Sequence, residues 1–201
     1  MILYQSARAD EAAARSGLRE PFKGKEVQFY SRAELIEKMK QIALLHGEFT
    51  LRSGKKSNWY FDKYRFEGIP SIMRSVAHQM ARLIPAGTDR LAGIELGGVP
   101  MCTALSLETD IPCMFVRKQA KEHGTMAQVE GVYEPEDSVL IVEDVVTTGG
   151  QAIELIKQLR VNGLNVIGTL AVLNRAEGSQ DAFADENIPF WWLFSREDFG
   201  F

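Results

Sequence analysis

Hydrophobic and polar positions along this chain fall into two regimes. In the first half the apolar residues recur at helical spacing: after Ser31, the side chains of Leu35, Ile36, Met39, Ile42 and Ala43 share one face, which predicts a helix over 32–45 ended by Gly47. Ser31 and Glu34 have the spacing of a capping box, in which the hydroxyl and the carboxylate each accept from the other residue's backbone N–H. A second helix is expected from Pro70, with Ile72, Met73, Val76, Met80, Leu83 and Ile84 on one face until Pro85 and Gly87 close it. Between the two, 57–62 reads as a strand.

From Leu91 onward short apolar runs alternate with helical segments. The runs are 91–94, 112–116, 139–142 and 166–173; helices are expected after Pro100 and over 151–161, the latter stopped by Asn162 and Gly163. Strands that are apolar on both sides and joined by helices predict an α/β fold with a central, mostly parallel sheet flanked by helices. One such domain is expected over 31–201, preceded by a leader, 1–30, in which Gly17, Pro21 and Gly24 interrupt any helix. In sheets of this kind ligands sit beyond the carboxyl ends of the strands, so the residues following each run are the ones to search.

Composition narrows the classes. With 23 Lys+Arg against 27 Asp+Glu the chain carries a formal charge of −4, which removes the bulk electrostatic attraction a general nucleic-acid or acidic-membrane binder needs. No apolar stretch approaches the roughly 18 residues of a spanning helix, and no signal segment opens the chain, so a cytoplasmic protein without nucleic-acid or membrane partners is expected. The two cysteines, Cys102 and Cys113, are expected to be reduced, buried and structural. What remains open is a locally basic pocket for a small anion.

The run 139–142 is followed by Glu143, Asp144, Val145, Val146, Thr147, Thr148, Gly149 and Gly150, and then by a helix starting at about Gln151. Glycines let successive N–H groups point into one concavity, the helix N-terminus adds positive potential, and threonine hydroxyls add donors, which together cradle a phosphate. The adjacent carboxylates repel phosphate but accept hydrogen bonds from sugar hydroxyls, and they favour positive charge on a sugar ring or a metal ion beside it. Acid pair plus cradle points to a phosphorylated sugar. Lys55 and Ser57 lie near a Walker-like ending, yet Phe49 replaces its first glycine and Lys56 stands where Ser or Thr belongs, and there is no G-x-G-x-x-G. Arg117, Lys118, Lys121 and His123 place four cations within seven residues on a polar stretch bounded by Gly124, a segment able to close over an anion.

The segment 139–150 resembles the signature of the type I phosphoribosyltransferases, which bind phosphoribosyl pyrophosphate. Segments 47–57 and 117–124 narrow the resemblance to the orotate-using branch of that family, and the similarity spans about 34–199. The resemblance implies a small N-terminal hood, from about 31–68 together with the C-terminal segment, over the sheet domain. It implies transfer of ribose 5-phosphate from phosphoribosyl pyrophosphate to orotate in pyrimidine biosynthesis, with Mg²⁺ held mainly by substrate and water. Glu143 and Asp144 would contact the ribose, and Val145 to Gln151, including Thr147, Thr148, Gly149 and Gly150, the 5-phosphate. Arg52, Gly97, Arg117, Lys118, Lys121 and His123 would bind the rest of phosphoribosyl pyrophosphate, with Arg117, Lys121 and His123 catalytic. Tyr60, Phe61, Thr147 and Arg175 would bind orotate.

A homodimer is implied, with loop 117–131 shared across the interface. The chain departs from the family pattern at Gly97, where some members carry a lysine, so that leaving-group contacts there reduce to backbone N–H groups, and at Asn174, where an Asp is often found. Two other readings share the acid-pair signature: a transferase for another base, and a non-catalytic sensor of phosphoribosyl pyrophosphate.

Overall fold

The computed structural model describes residues 27–50, 54, 56–118, 128–175 and 179–200. Its first helix, α1 (Arg32–Ala43), starts with the capping box its spacing predicts: the Glu34 N–H donates to Ser31 Oγ at 3.3 Å and the Ser31 N–H donates to Glu34 Oε2 at 2.8 Å. The helix stops at Ala43, short of residue 45. Leu44 instead opens strand β1 (Leu44–Thr50), which pairs antiparallel with β2 (Lys56–Phe61), Leu44 opposite Phe61 and Leu45 opposite Tyr60. Ladder hydrogen bonds to β2 take the place of another helical turn, and Gly47 lies within the strand rather than ending the helix.

A short helix, α2 (Lys63–Glu67), follows directly, too brief to leave a periodic signal. The predicted helix at Pro70 is α3 (Pro70–Met80), continued by a 3₁₀ turn, Ala81–Leu83.

The central sheet contains β3 (Arg90–Ile94), β4 (Cys113–Val116), β5 (Val129–Glu130), β6 (Ser138–Val146), β7 (Asn165–Asn174) and β8 (Phe190–Ser195) in the order β5-β4-β3-β6-β7-β8. Every neighbouring pair is parallel except β4 with β5. The remaining helices are α4 (Gly98–Thr109), α5 (Gly150–Val161), α6 (Ser179–Asp185) and α7 (Arg196–Phe199). Strand β6 runs four residues past the apolar stretch 139–142 because Glu143, Val145 and Val146 keep their register with β7. The acid pair therefore stands in the strand itself. The aromatic run 190–195, unassigned from sequence, forms the edge strand β8.

Alternation along β6 divides the interior. Leu140 and Val142 belong to one core with Leu35, Val76 and Leu105, while Val139 and Ile141 belong to another with Ile156 and Phe183. Helices α1, α3 and α4 thus cover one face of the sheet, and α5 and α6 the other. The Arg32 guanidinium makes two hydrogen bonds to Asp198, at 2.9 and 2.7 Å, and brings α7 against α1. Cys102 is buried as expected, but Cys113 is only partly so, because it lies with Phe115 on the less covered face of β4, opposite to buried Met114 and Val116. Among the described residues no helix is long and apolar enough to cross a membrane.

Leu140 sits fully buried at the centre of the middle strand. Leu140→Ala is expected to lower the unfolding free energy by about 2–5 kcal/mol through the cavity it leaves, read as a shifted urea midpoint with an unchanged slope.

Candidate active site

Consecutive residues of a strand point to opposite faces, so β6 sends its two acids to different places. Asp144 is 1% exposed and is aimed at the loop between β3 and α4: a Cβ on Gly97 would overlap its carboxylate. Asp144 Oδ1 accepts from the Val145 N–H at 2.5 Å, and Oδ2 forms an ion pair with the Lys63 ammonium of α2. Glu143 instead lines a pocket of about 180 Å³ with Lys118, Gln151 and Glu154. Burial, reinforced by the neighbouring charge of Asp144, pushes the Glu143 carboxyl up to about 8.

Glu67, one helical turn after Lys63, completes the cluster. Both of its carboxylate oxygens are buried, beside Asp144. Burial first, and then the Asp144 charge, raise its pKa to about 8. For Lys63 burial acts to lower the pKa but is outweighed by the charge and hydrogen bond of Asp144, so the ammonium is held above its ordinary value. The result is one cation among three acids, two of which keep their protons near neutral pH.

Beyond the strand the chain turns through exposed Thr147 and Thr148 to Gly149, whose φ of 78° and whose closeness to Phe183, 2.7 Å from any added Cβ, admit only glycine. The N-terminus of α5 has no side-chain cap, which leaves its first N–H groups available to an anion. A second, larger pocket of about 650 Å³ is lined by Tyr60, Phe61, Lys63, Val145, Thr147 and Arg175. All four residues expected to bind orotate are therefore brought together, from β2, from the end of β6 and from the end of β7. The Phe61 ring packs on Phe66 and Phe199 and contributes an apolar wall. Burial pushes the Arg175 guanidinium pKa down, with Tyr60 opposing, and the Arg175 N–H donates to the Val146 carbonyl at 2.9 Å.

The remaining expectations are met unevenly. Arg117 donates from Nε to Glu130 at 3.0 Å, and its N–H donates to the Gln128 carbonyl at 2.8 Å. Lys118 joins the Glu143 pocket, and its N–H donates to Glu95 Oε1 at 2.8 Å. Gly97 caps α4 just after the Glu95–Leu96 peptide, which is cis. Arg52, Lys121 and His123 lie outside the described residues. The buried Asn174 amide donates to Gln180 at 3.4 Å. Sequence reasoning missed Lys63 and Glu67, whose only signal was a Lys and a Glu one helical turn apart, a pattern typical of a solvated helix face.

The raised carboxyls set a pH dependence. Glu143 and Glu67 hold protons up to about 8 in the folded protein but lose them near 4.5 when unfolded, so between those values the folded state binds more protons and stability falls as pH rises. Urea unfolding of the substrate-free protein from pH 5 to 8 is expected to show a slope of up to about 1.4 kcal/mol per pH unit for each group, and Glu67→Gln is expected to flatten it.

Comparison with known proteins places this arrangement. The family model for the phosphoribosyl transferase domain matches residues 66–190. A curated orotate phosphoribosyltransferase of Methanocella arvoryzae is 43% identical over 156 residues, 77% of this chain and 89% of that protein. The solved structure of orotate phosphoribosyltransferase from Mycobacterium tuberculosis H37Rv with Fe(III) dicitrate has a TM-score of 0.75 at 30% identity, over 85% of this chain and 99% of that one. The same enzyme in complex with 5-phospho-α-D-ribosyl 1-diphosphate gives a TM-score of 0.72 at 26% identity, with the same coverage.

Proposed function

The chain belongs to the phosphoribosyl transferase family and, within it, to the orotate phosphoribosyltransferases, and from that premise we propose how its residues carry the reaction: transfer of ribose 5-phosphate from phosphoribosyl pyrophosphate to N1 of orotate, giving orotidine 5-phosphate and pyrophosphate. The observation that carries the reading is the convergence of Tyr60, Thr147 and Arg175 on one pocket at the strand ends that also bear Asp144. A half-buried guanidinium pairs with a carboxylate through two charge-assisted hydrogen bonds, and an aromatic wall accepts a planar ring. Orotate presents both features.

The ribose hydroxyls donate to Glu143 and Asp144. The 5-phosphate rests on the N–H groups and hydroxyls of the 145–151 segment, at the uncapped N-terminus of α5. As the bond from C1 to the pyrophosphate oxygen breaks, its electron pair leaves on that oxygen, and positive charge on the ring is favoured by the Asp144 carboxylate. The bond from N1 to C1 forms, and the N1 proton passes to water. Arg52, Arg117, Lys118, Lys121, His123 and the N–H of Gly97 are assigned to the pyrophosphate.

Mg²⁺ fits this site as the companion of the pyrophosphate: hard oxygen surroundings beside a polyanion attract it, while substrate oxygens and water supply its ligands. When bound it neutralises leaving-group charge. We further propose a cytoplasmic homodimer whose 117–131 segment reaches the partner's site.

The decisive assay is the Mg²⁺-dependent fall in orotate absorbance on adding phosphoribosyl pyrophosphate, with adenine, hypoxanthine and uracil in parallel. Orotate alone is expected to react, and Asp144→Asn to abolish the signal. Arg175→Ala is expected to raise the KM for orotate about tenfold or more and leave that for phosphoribosyl pyrophosphate nearly unchanged. Binding of phosphoribosyl pyrophosphate with no turnover of any base would favour the sensor reading. For the dimer, mixing inactive Lys121→Ala and Asp144→Asn chains is expected to restore activity through hybrid sites; no recovery on mixing would refute a shared loop.

A further inference from the structure

Lys63 was not among the residues assigned from sequence, yet it occupies the crossing point of the site. Its Nζ lies 2.9 Å from where a Cβ on Gly97 would stand, and its ion-pair partner Asp144 fills the rest of that space. The pair is asymmetric in exposure: the Asp144 side chain is 2% accessible and that of Lys63 is 29%. Lys63 also lines the larger pocket with Thr147 and Arg175. The open end of the pair is therefore the cation, which reaches that pocket on one side and the loop at Gly97 on the other.

An ammonium carries three N–H donors, and Asp144 engages one side of it. A second observation concerns charge. A polyanionic substrate seated beside Asp144 would be repelled by an unpaired carboxylate. A cation at this point cancels that repulsion and still has donors to offer.

Resting on the functional reading above, we propose that Lys63 is a catalytic residue of this enzyme: it pairs with Asp144 and gives its remaining N–H donors to the pyrophosphate bound over Gly97 and Gly98. The leaving-group contacts of the Gly97 loop are then a side-chain cation supplied from α2 as well as backbone N–H groups. Lys63 keeps its proton throughout. It binds the oxygen that takes up the electron pair as the C1–O bond breaks, while the N1–C1 bond forms and the N1 proton goes to water. Interaction with charge that grows on the leaving group strengthens in the transition state and so acts on kcat as well as on binding.

The test separates this role from simple support of Asp144. Binding of inorganic pyrophosphate and of ribose 5-phosphate, each with Mg²⁺, is measured calorimetrically for the wild type, Lys63→Met and Lys63→Arg, alongside orotate turnover. Lys63→Met is expected to weaken pyrophosphate binding about tenfold or more, to change ribose 5-phosphate binding much less, and to lower kcat about a hundredfold. Lys63→Arg is expected to retain most of the pyrophosphate affinity.

The same comparison in an Asp144→Asn background leaves no buried charge unpaired, so that Lys63→Met folds there. Loss of pyrophosphate affinity on adding Lys63→Met to that background supports a direct contact; no further loss overturns it. Equal losses for pyrophosphate and ribose 5-phosphate also overturn it. If the wild type consumes no orotate, the transferase reading fails on its own, and unchanged pyrophosphate binding in Lys63→Met still decides against the lysine.

Discussion

The site depends on burying the carboxylate of Asp144. Removing a charged group from water is costly unless it is paired and hydrogen-bonded, and here the adjacent Val145 N–H supplies the hydrogen bond while a distant part of the chain supplies the pairing cation. Lys63 arrives on α2, which follows β2 without a break, and the Asp62 N–H anchors that junction by donating to the Ala43 carbonyl at 2.8 Å. Gly97 must lack a side chain for the loop after β3 to close over the carboxylate. The hairpin of β1 and β2, the first strand of the sheet and its central strand are thereby tied to one another through a single buried acid.

The alternation of β6 turns one short run of sequence into two environments. Asp144 faces Lys63 and the loop at Gly97, while Glu143 faces a small pocket with Lys118 and Gln151. Burial keeps Glu143 and Glu67 protonated near neutrality, so the region carries less negative charge than its composition implies. That matters for a protein whose net charge is −4. In the proposed reaction an anionic substrate is received through a few local groups, the uncapped α5 N-terminus, Lys63, Lys118 and Arg175, rather than by long-range attraction.

Much of the fold was legible because its signals are local. The capping box of α1, the proline at the start of α3, the apolar runs of β3, β4, β6 and β7, and the glycine turn into α5 each lie within a few residues, where backbone hydrogen bonding and side-chain spacing act directly. The errors fell where tertiary contacts overrode that signal. Leu44 and Leu45 left the helical pattern to pair with β2, Cys113 fell on the less covered face of β4, and β6 carried its acids inside the sheet because β7 extends alongside them.

The sequence by itself determined the alternation of strands and helices and the acid pair beside a glycine-rich turn, since each is a matter of residue type at short spacing, whereas Tyr60, Phe61, Thr147 and Arg175 were reached only through the family resemblance. Only the tertiary structure decided that Glu143 and Asp144 part company, that Lys63 meets Asp144 across the floor of Gly97, and that Glu67 is buried beside them. Those facts depend on how α2, the β3–α4 loop and β6 pack, and a charge pair formed between remote segments leaves no periodic trace along the chain.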